Sequence, residues 1–214
     1  MVEVCLRHGD ISRVVGLLLD DSCCLLIDGP EKGEIFAMPG LYFAYGSNMS
    51  AEQMAVRCPG AVAMAVAKLD DWQFIINQLG AAALRRAEGK AVWGVIWRCH
   101  ARHMANLDRY EAVARGIYYR EQMKLSVKPL NQARLATVYT ASDQTIGAAP
   151  IPGYVEHAIL PGAEAFGLPE AYIGELQTWL PGGSAYPDPD IRRQSTFRFG
   201  LKKARKFTGW GGQR

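Results

Sequence analysis

Three stretches of this chain carry residue types whose spacing could do chemistry. In Tyr42-Phe43-Ala44-Tyr45-Gly46-Ser47-Asn48-Met49, an apolar run stops at a Gly-Ser-Asn turn. Glycine reaches backbone angles that other residues resist. A turn built on Gly46 can therefore aim several N–H groups into one cavity, and such a nest binds a carboxylate or an oxyanion. Ser50 follows as the natural N-cap of a short helix, whose N-terminus adds positive potential on the same side. On local chemistry alone, an ordinary turn after a strand explains these residues as well.

The second stretch is Leu107-Asp108-Arg109-Tyr110-Glu111, followed by Gly116-Ile117-Tyr118-Tyr119-Arg120. The spacing places Glu111 at the C-terminal end of a helix, where the helix dipole opposes a negative charge. That placement raises a carboxyl pKa toward the range useful for taking and returning a proton. An exposed glutamate on a last turn, paired with Arg115, is the bland alternative. The third stretch joins Pro150-Ile151-Pro152-Gly153-Tyr154 to Gly167-Leu168-Pro169-Glu170-Ala171-Tyr172. Two rigid turns start two helices, each with a tyrosine near its start. Tyr154 and Tyr172 can donate hydrogen bonds into a pocket or simply pack at helix ends.

The elements that must position these groups follow from hydrophobic periodicity. Leu41–Tyr45 predicts a buried strand and Ser50–Cys58 a helix ended by Pro59-Gly60. Ala61–Lys68, Trp72–Asn77 and Ala91–Arg98 predict strands, with Gly80–Lys90 as a loop. Ala101–Glu111 has helical spacing, with Met104 and Leu107 on one face. Tyr118–Val127 and Ala133–Ala141 predict two more strands, and Pro152–Phe166 and Pro169–Leu180 two helices. Strands interrupted by one helix and followed by two more predict an α+β fold. The sheet is mixed and can curl into a small β-barrel of about five to seven strands with flanking helices. Residues 41–180 form the domain. Residues 1–40 are an N-terminal extension, as a β-hairpin or an accessory segment, or reflect a start assigned too early, with Met38 as the alternative start. Residues 181–214 are a basic tail without periodicity.

Taken together and in this order, the Tyr-Phe-Ala-Tyr-Gly-Ser-Asn-Met run, Leu-Asp-x-x-Glu, Pro-x-Pro-x-Tyr and Gly-Leu-Pro-x-x-Tyr resemble the γ-glutamylcyclotransferase family. The resemblance runs from about Leu41 to Leu180. It implies a mixed β-barrel with helices around it, and the cyclisation of a γ-glutamyl group to 5-oxoproline with release of its amine. It implies that Glu111 is the general acid/base, and that Tyr45, Gly46, Ser47, Asn48 and Met49 cradle the substrate with Tyr154 and Tyr172 near the pocket. The Ala-Tyr-Gly-Ser-Asn form is similar to the branch acting on γ-glutamyl amino acids and to antibiotic-pathway relatives. It is less similar to the glutathione-specific and γ-glutamylamine-specific branches. Ile151 stands where a small hydroxyl residue is frequent. Two other readings stay open: removal of a protecting γ-glutamyl group from a biosynthetic intermediate, or a non-catalytic binding domain of the same fold.

The bulk composition is compatible with such an enzyme. The net charge is only +3, and it is uneven. From residue 181 onward eight Lys/Arg face Asp188 and Asp190, so the tail is +6 and the rest −3. The balance demands no nucleic-acid or membrane partner, although the aromatic residues of the basic tail could touch RNA. The partner expected is a small γ-glutamyl substrate, with the chain a monomer or homodimer. Five cysteines, two of them adjacent, match no disulfide framework and point to the reducing cytoplasm. The apolar run Val14–Leu19 is too short to cross a bilayer. Cys99, His100 and His103 fall short of a zinc ligand set, so no metal is expected, and the chemistry needs no cofactor.

Overall fold

The computed structural model describes residues 40–147 and 149–187. The readings of residues 1–39 and of the basic tail from residue 188 fall outside these. Five strands close into a barrel in the order β1 (Gly40–Ala44), β3 (Ala82–Cys99), β2 (Val62–Ile76), β4 (Tyr118–Val127) and β5 (Gln132–Ala141). The strand β1 seals the barrel. It runs antiparallel to β3, with Phe43 opposite Ile96, and parallel to β5, with Phe43 opposite Val138. The other pairings are antiparallel. The α+β class with a small mixed barrel is thus the observed one.

Successive strand residues point to opposite faces. In β1, however, Tyr42, Phe43 and Ala44 are all buried. Both faces of the strand are therefore covered, which is why its sequence is an unbroken apolar run. This double burial fixes the point at which the chain leaves the strand at Tyr45 and turns into Gly46.

The two strands expected at 61–68 and 72–77 are one, β2. Asp71 sits at φ 62° and its carboxylate accepts from the Gly89 N–H at 3.0 Å, so the Asp-Asp pair makes a bulge and not a turn. The loop expected over Gly80–Lys90 is largely strand. Ala82, Ala83 and Leu84 are buried and pair with Ile76, Ile75 and Phe74. Small residues there fill the barrel wall, where packing overrides their low strand propensity.

Helix α1 (Ala51–Arg57) starts on Ser50, whose Oγ accepts from the Gln53 N–H at 3.3 Å. Helix α2 (Ala101–Tyr110) buries His103, Met104 and Leu107 and ends with Glu111 as its C-cap. His103 accepts from the His100 N–H at 3.2 Å, and its Nε2 lies 2.9 Å from the Pro59 carbonyl. It therefore pins α2 to the end of α1. Among the described residues no group of three His, Cys, Asp or Glu side chains is placed to hold a metal ion. A wide helical turn, Tyr154–Ile159, runs into α3 (Leu160–Ala165), and α4 (Glu170–Gln177) follows. No helix of the described residues is long and apolar enough to cross a membrane.

Gly162 lets α3 lie directly on the Gly-Ser-Asn loop. A Cβ at Gly162 would stand 2.8 Å from the Met49 carbonyl carbon and from the Ser50 nitrogen. Both are backbone atoms and cannot rotate away. Gly162→Ala is expected to cost about 1–3 kcal/mol by overpacking and to lower turnover by displacing the loop. Urea unfolding together with a rate measurement checks this, and an unchanged midpoint with an unchanged rate would contradict it.

Candidate active site

The loop after β1 is a single tight turn, Ser47–Met49. Its closing bonds are Met49 N–H to Gly46 O at 2.9 Å and Ser50 N–H to Ser47 O at 3.1 Å. The N–H groups of Ser47 and Asn48 donate to no protein acceptor among the described residues. Gly46 matters by its bareness. A Cβ there would come within 3.1 Å of the Ala82 methyl and 3.4 Å of the Tyr154 hydroxyl.

Glu111 faces this loop from the end of α2. Asn48 Nδ2 donates to Glu111 Oε1 at 3.1 Å and to the Tyr42 hydroxyl at 2.8 Å. The other end of the same carboxamide is held from α1, because Arg57 Nη1 donates to Asn48 Oδ1. Arg57 also donates to Ser47 Oγ at 3.2 Å, and its guanidinium stacks 3.6 Å from the centre of the Tyr110 ring. Three elements thus meet at Asn48: the β1 loop, α1 and the end of α2.

Burial pushes the Glu111 carboxyl up to about 7, while the Arg57 charge and the Asn48 hydrogen bond pull it down. The helix-end argument from sequence therefore gave the right direction, but burial is the main cause. The residue as a whole remains partly accessible. Its carboxyl is nonetheless enclosed by Asn48 and a shell of tyrosines. Tyr42, Tyr45, Tyr118 and Tyr154 are all raised by burial first and by the Glu111 charge second or later. They stay neutral phenols at any physiological pH and so present hydroxyls without charge. Two are tied back to the barrel: Tyr45 donates to the Tyr139 carbonyl at 2.6 Å, and Tyr118 to the Ala82 carbonyl at 2.7 Å. Tyr154, pushed up to about 12 mainly by burial, is also influenced by the Ser47 side chain.

Of the residues named from sequence, Tyr45, Gly46, Ser47, Asn48, Tyr154 and Glu111 converge. Met49 is fully buried in the core and packs behind the loop. Tyr172 is also buried. The charge that acts on it is Glu175 of its own helix, and it influences Tyr45, so it reaches Glu111 only through that neighbour. Arg57, Tyr42 and Tyr118 were missed. Tyr42 and Tyr118 lay inside the quoted motifs, on strands, and strand periodicity could have paired them with the loop. Arg57 carried no local signal beyond its place in the last turn of α1.

A closed barrel thus holds the Glu111 carboxyl against the Gly-Ser-Asn loop, inside a shell of neutral tyrosines, an arrangement suited to an enzyme that moves a proton. The chain's similarities agree with that class. A model of the AIG2-like family matches residues 91–176. The chain is 31% identical over 161 residues to the γ-glutamylcyclotransferase of Mus musculus, covering 71% of this chain and 82% of the relative. It is 29% identical over 171 residues to that of Homo sapiens, covering 75% and 87%. A solved γ-glutamyl cyclotransferase structure superposes with a TM-score of 0.61 at 27% identity, over 72% of this chain and 96% of its own. The chain belongs to the γ-glutamylcyclotransferase family.

Proposed function

We propose that this enzyme converts a γ-glutamyl amino acid, or a closely related γ-glutamyl amide, into 5-oxoproline and the free amine, with Glu111 carrying the proton. The substrate supplies its own nucleophile. Its α-amine attacks the γ-carbonyl carbon, a nitrogen–carbon bond forms, and the amine proton passes to Glu111. The tetrahedral intermediate then collapses, the bond to the leaving nitrogen breaks, and Glu111 returns the proton to that nitrogen. No water is consumed. Because the attack is intramolecular, holding the chain bent supplies much of the rate.

The observation that carries this reading is the 3.1 Å bond from Asn48 to Glu111. It joins the proposed proton carrier to the loop whose backbone N–H groups would suit a developing oxyanion or the substrate carboxylate. A carboxyl poised near 7 can serve in both directions at neutral pH. A binding-only domain would gain nothing from so costly a buried acid. The cysteine usage favours the cytoplasm as the site of action.

A panel of γ-glutamyl amino acids, glutathione and γ-glutamylamines, read by mass spectrometry for 5-oxoproline, tests the proposal. The γ-glutamyl amino acids are expected to be the best substrates. Absence of 5-oxoproline from the whole panel would sink the reaction, and turnover of glutathione alone would overturn the substrate branch.

A further inference from the structure

Among the described residues, Asn48 is the side chain that bonds to the Glu111 carboxyl, so its orientation governs what that carboxyl meets. A carboxamide has a donor end and an acceptor end, and it can turn over to suit its neighbour. A carboxylate at Glu111 needs the donor end, whereas a carboxylic acid could equally use the acceptor end. Arg57 removes that choice. A guanidinium has five N–H donors, no acceptor, and a fixed charge. It can face only the oxygen of the carboxamide, which is where its Nη1 lies. The Tyr42 hydroxyl takes the other N–H of the same amide at 2.8 Å.

We propose that Arg57 is a positioning residue for Glu111: it locks the Asn48 carboxamide with its N–H2 toward the carboxyl, so that the amide does not turn over when the proton arrives. Arg57 is itself held on two sides. It donates to Ser47 Oγ at 3.2 Å, and it lies against the Tyr110 ring at the end of α2. Tyr110 is the residue immediately before Glu111, so the same stacking contact joins α1 to the backbone that carries the acid. The groups around Glu111 come from several elements of the fold. From β1 and its loop come Tyr42 and Tyr45, from β4 Tyr118, from the turn before α3 Tyr154, and from α1 Arg57. The four tyrosines are neutral, whereas the Arg57 charge acts on the Glu111 carboxyl and lowers it. Locking the amide as a donor keeps the ionised acid competent as a base and makes the protonated acid quick to give its proton up. The position of Arg57 therefore serves both halves of the proposed cycle.

The positioning claim rests on the proposed reaction only for its kinetic consequence. Its test accordingly has one readout that needs no substrate. Wild type, R57Q and R57K are labelled with carbon-13 at the glutamate carboxyls, the Glu111 signal is assigned with E111Q, and each is titrated by NMR. In parallel, kcat and KM for 5-oxoproline release from γ-glutamylalanine are measured across the same pH range. For R57Q the Glu111 midpoint is expected to rise by about one pH unit. Its kcat should fall about 10- to 100-fold near neutrality, with KM changed far less. R57K keeps the charge and loses the planar fork, so its midpoint should stay near wild type while kcat still falls about tenfold.

A Glu111 midpoint in R57Q equal to that of wild type overturns the proposal, as does a wild-type kcat in R57K. Loss of kcat without movement of the R57Q midpoint would assign Arg57 a merely structural role and also overturn it. Should R57Q fail to fold, R57K decides: a midpoint near wild type with kcat about tenfold lower supports the proposal, and a wild-type kcat overturns it. If no protein forms 5-oxoproline while the R57Q midpoint moves as expected, the positioning claim stands and the reaction assigned above falls.

Discussion

Glu111→Gln is expected to abolish measurable turnover and leave the fold intact. The two side chains have the same shape, and the carboxamide oxygen of the substituted side chain can still accept the Asn48 N–H now held at 3.1 Å. What disappears is the capacity to hold a proton. Positioned acid–base groups contribute roughly 100- to 10,000-fold, and in the proposed reaction one carboxyl serves both steps, so the loss should lie at the upper end. The substrate carboxylate and the backbone N–H groups of the loop are untouched. KM, or binding of a non-cleavable γ-glutamyl analogue, should therefore change little. A lowered kcat with retained analogue binding is the pattern that identifies a group acting in the transition state. Loss of binding together with turnover would instead mean that the variant had collapsed the loop.

The same substitution should make the protein more stable in alkaline solution. Burial raises the Glu111 carboxyl from an ordinary 4.5 to about 7 in the folded state. The native protein therefore keeps a proton that the unfolded chain has already released. Stability falls as pH rises between those two values, because the native state binds more protons there, and the full cost is present above about pH 7. Each pH unit corresponds to about 1.4 kcal/mol, so the cost amounts to roughly 3 kcal/mol at most. Glutamine never ionises and escapes it. Near pH 4.5 wild type and Glu111→Gln should unfold at similar denaturant concentrations. At about pH 8 the variant should be the more stable by up to roughly 3 kcal/mol. Equal stability at both pH values would mean that the carboxyl is not forced to ionise against its surroundings. A buried acid that weakens its own fold is what is expected where function and stability conflict.

The parts of this site that local chemistry specifies were legible before any coordinates. The apolar run into Tyr45 and Gly46 marked a doubly covered strand and its turn. Ser50 announced a helix, and the spacing of Met104 and Leu107 put Glu111 at a helix end. Tyr118–Val127 was read as a strand over the same residues that pair in β4. What stayed hidden depends on distant parts of the chain. Nothing near Arg57 says that the last turn of α1 comes to rest on Tyr110, 53 residues away. Nor could the cause of the raised Glu111 pKa be read locally, since burial comes from packing of the tyrosine shell and not from the helix that carries the acid. The long β2–β3 pair was read as shorter pieces for a related reason. Asp70-Asp71 and Gly89 are turn residues by composition, and only their mutual hydrogen bond turns them into a bulge within continuous strands. Cys99, His100 and His103 illustrate the reverse case. Their types invite a metal, whereas His103 is occupied in joining α2 to the Pro59 carbonyl.

The most direct test of a proton-carrying Glu111 sets two titrations side by side: its carboxyl followed by NMR, and the pH dependence of kcat/KM for 5-oxoproline formation. The free-enzyme base must be ionised to accept the amine proton, so kcat/KM should climb through an acidic limb at the same midpoint, near 7, as the carboxyl signal. Both should move together when Arg57 is replaced by glutamine, whereas a limb belonging to the substrate's own amine would stay in place. A Glu111 midpoint in the ordinary carboxylate range, or a kinetic limb that remains fixed while the carboxyl midpoint moves, would contradict the assignment.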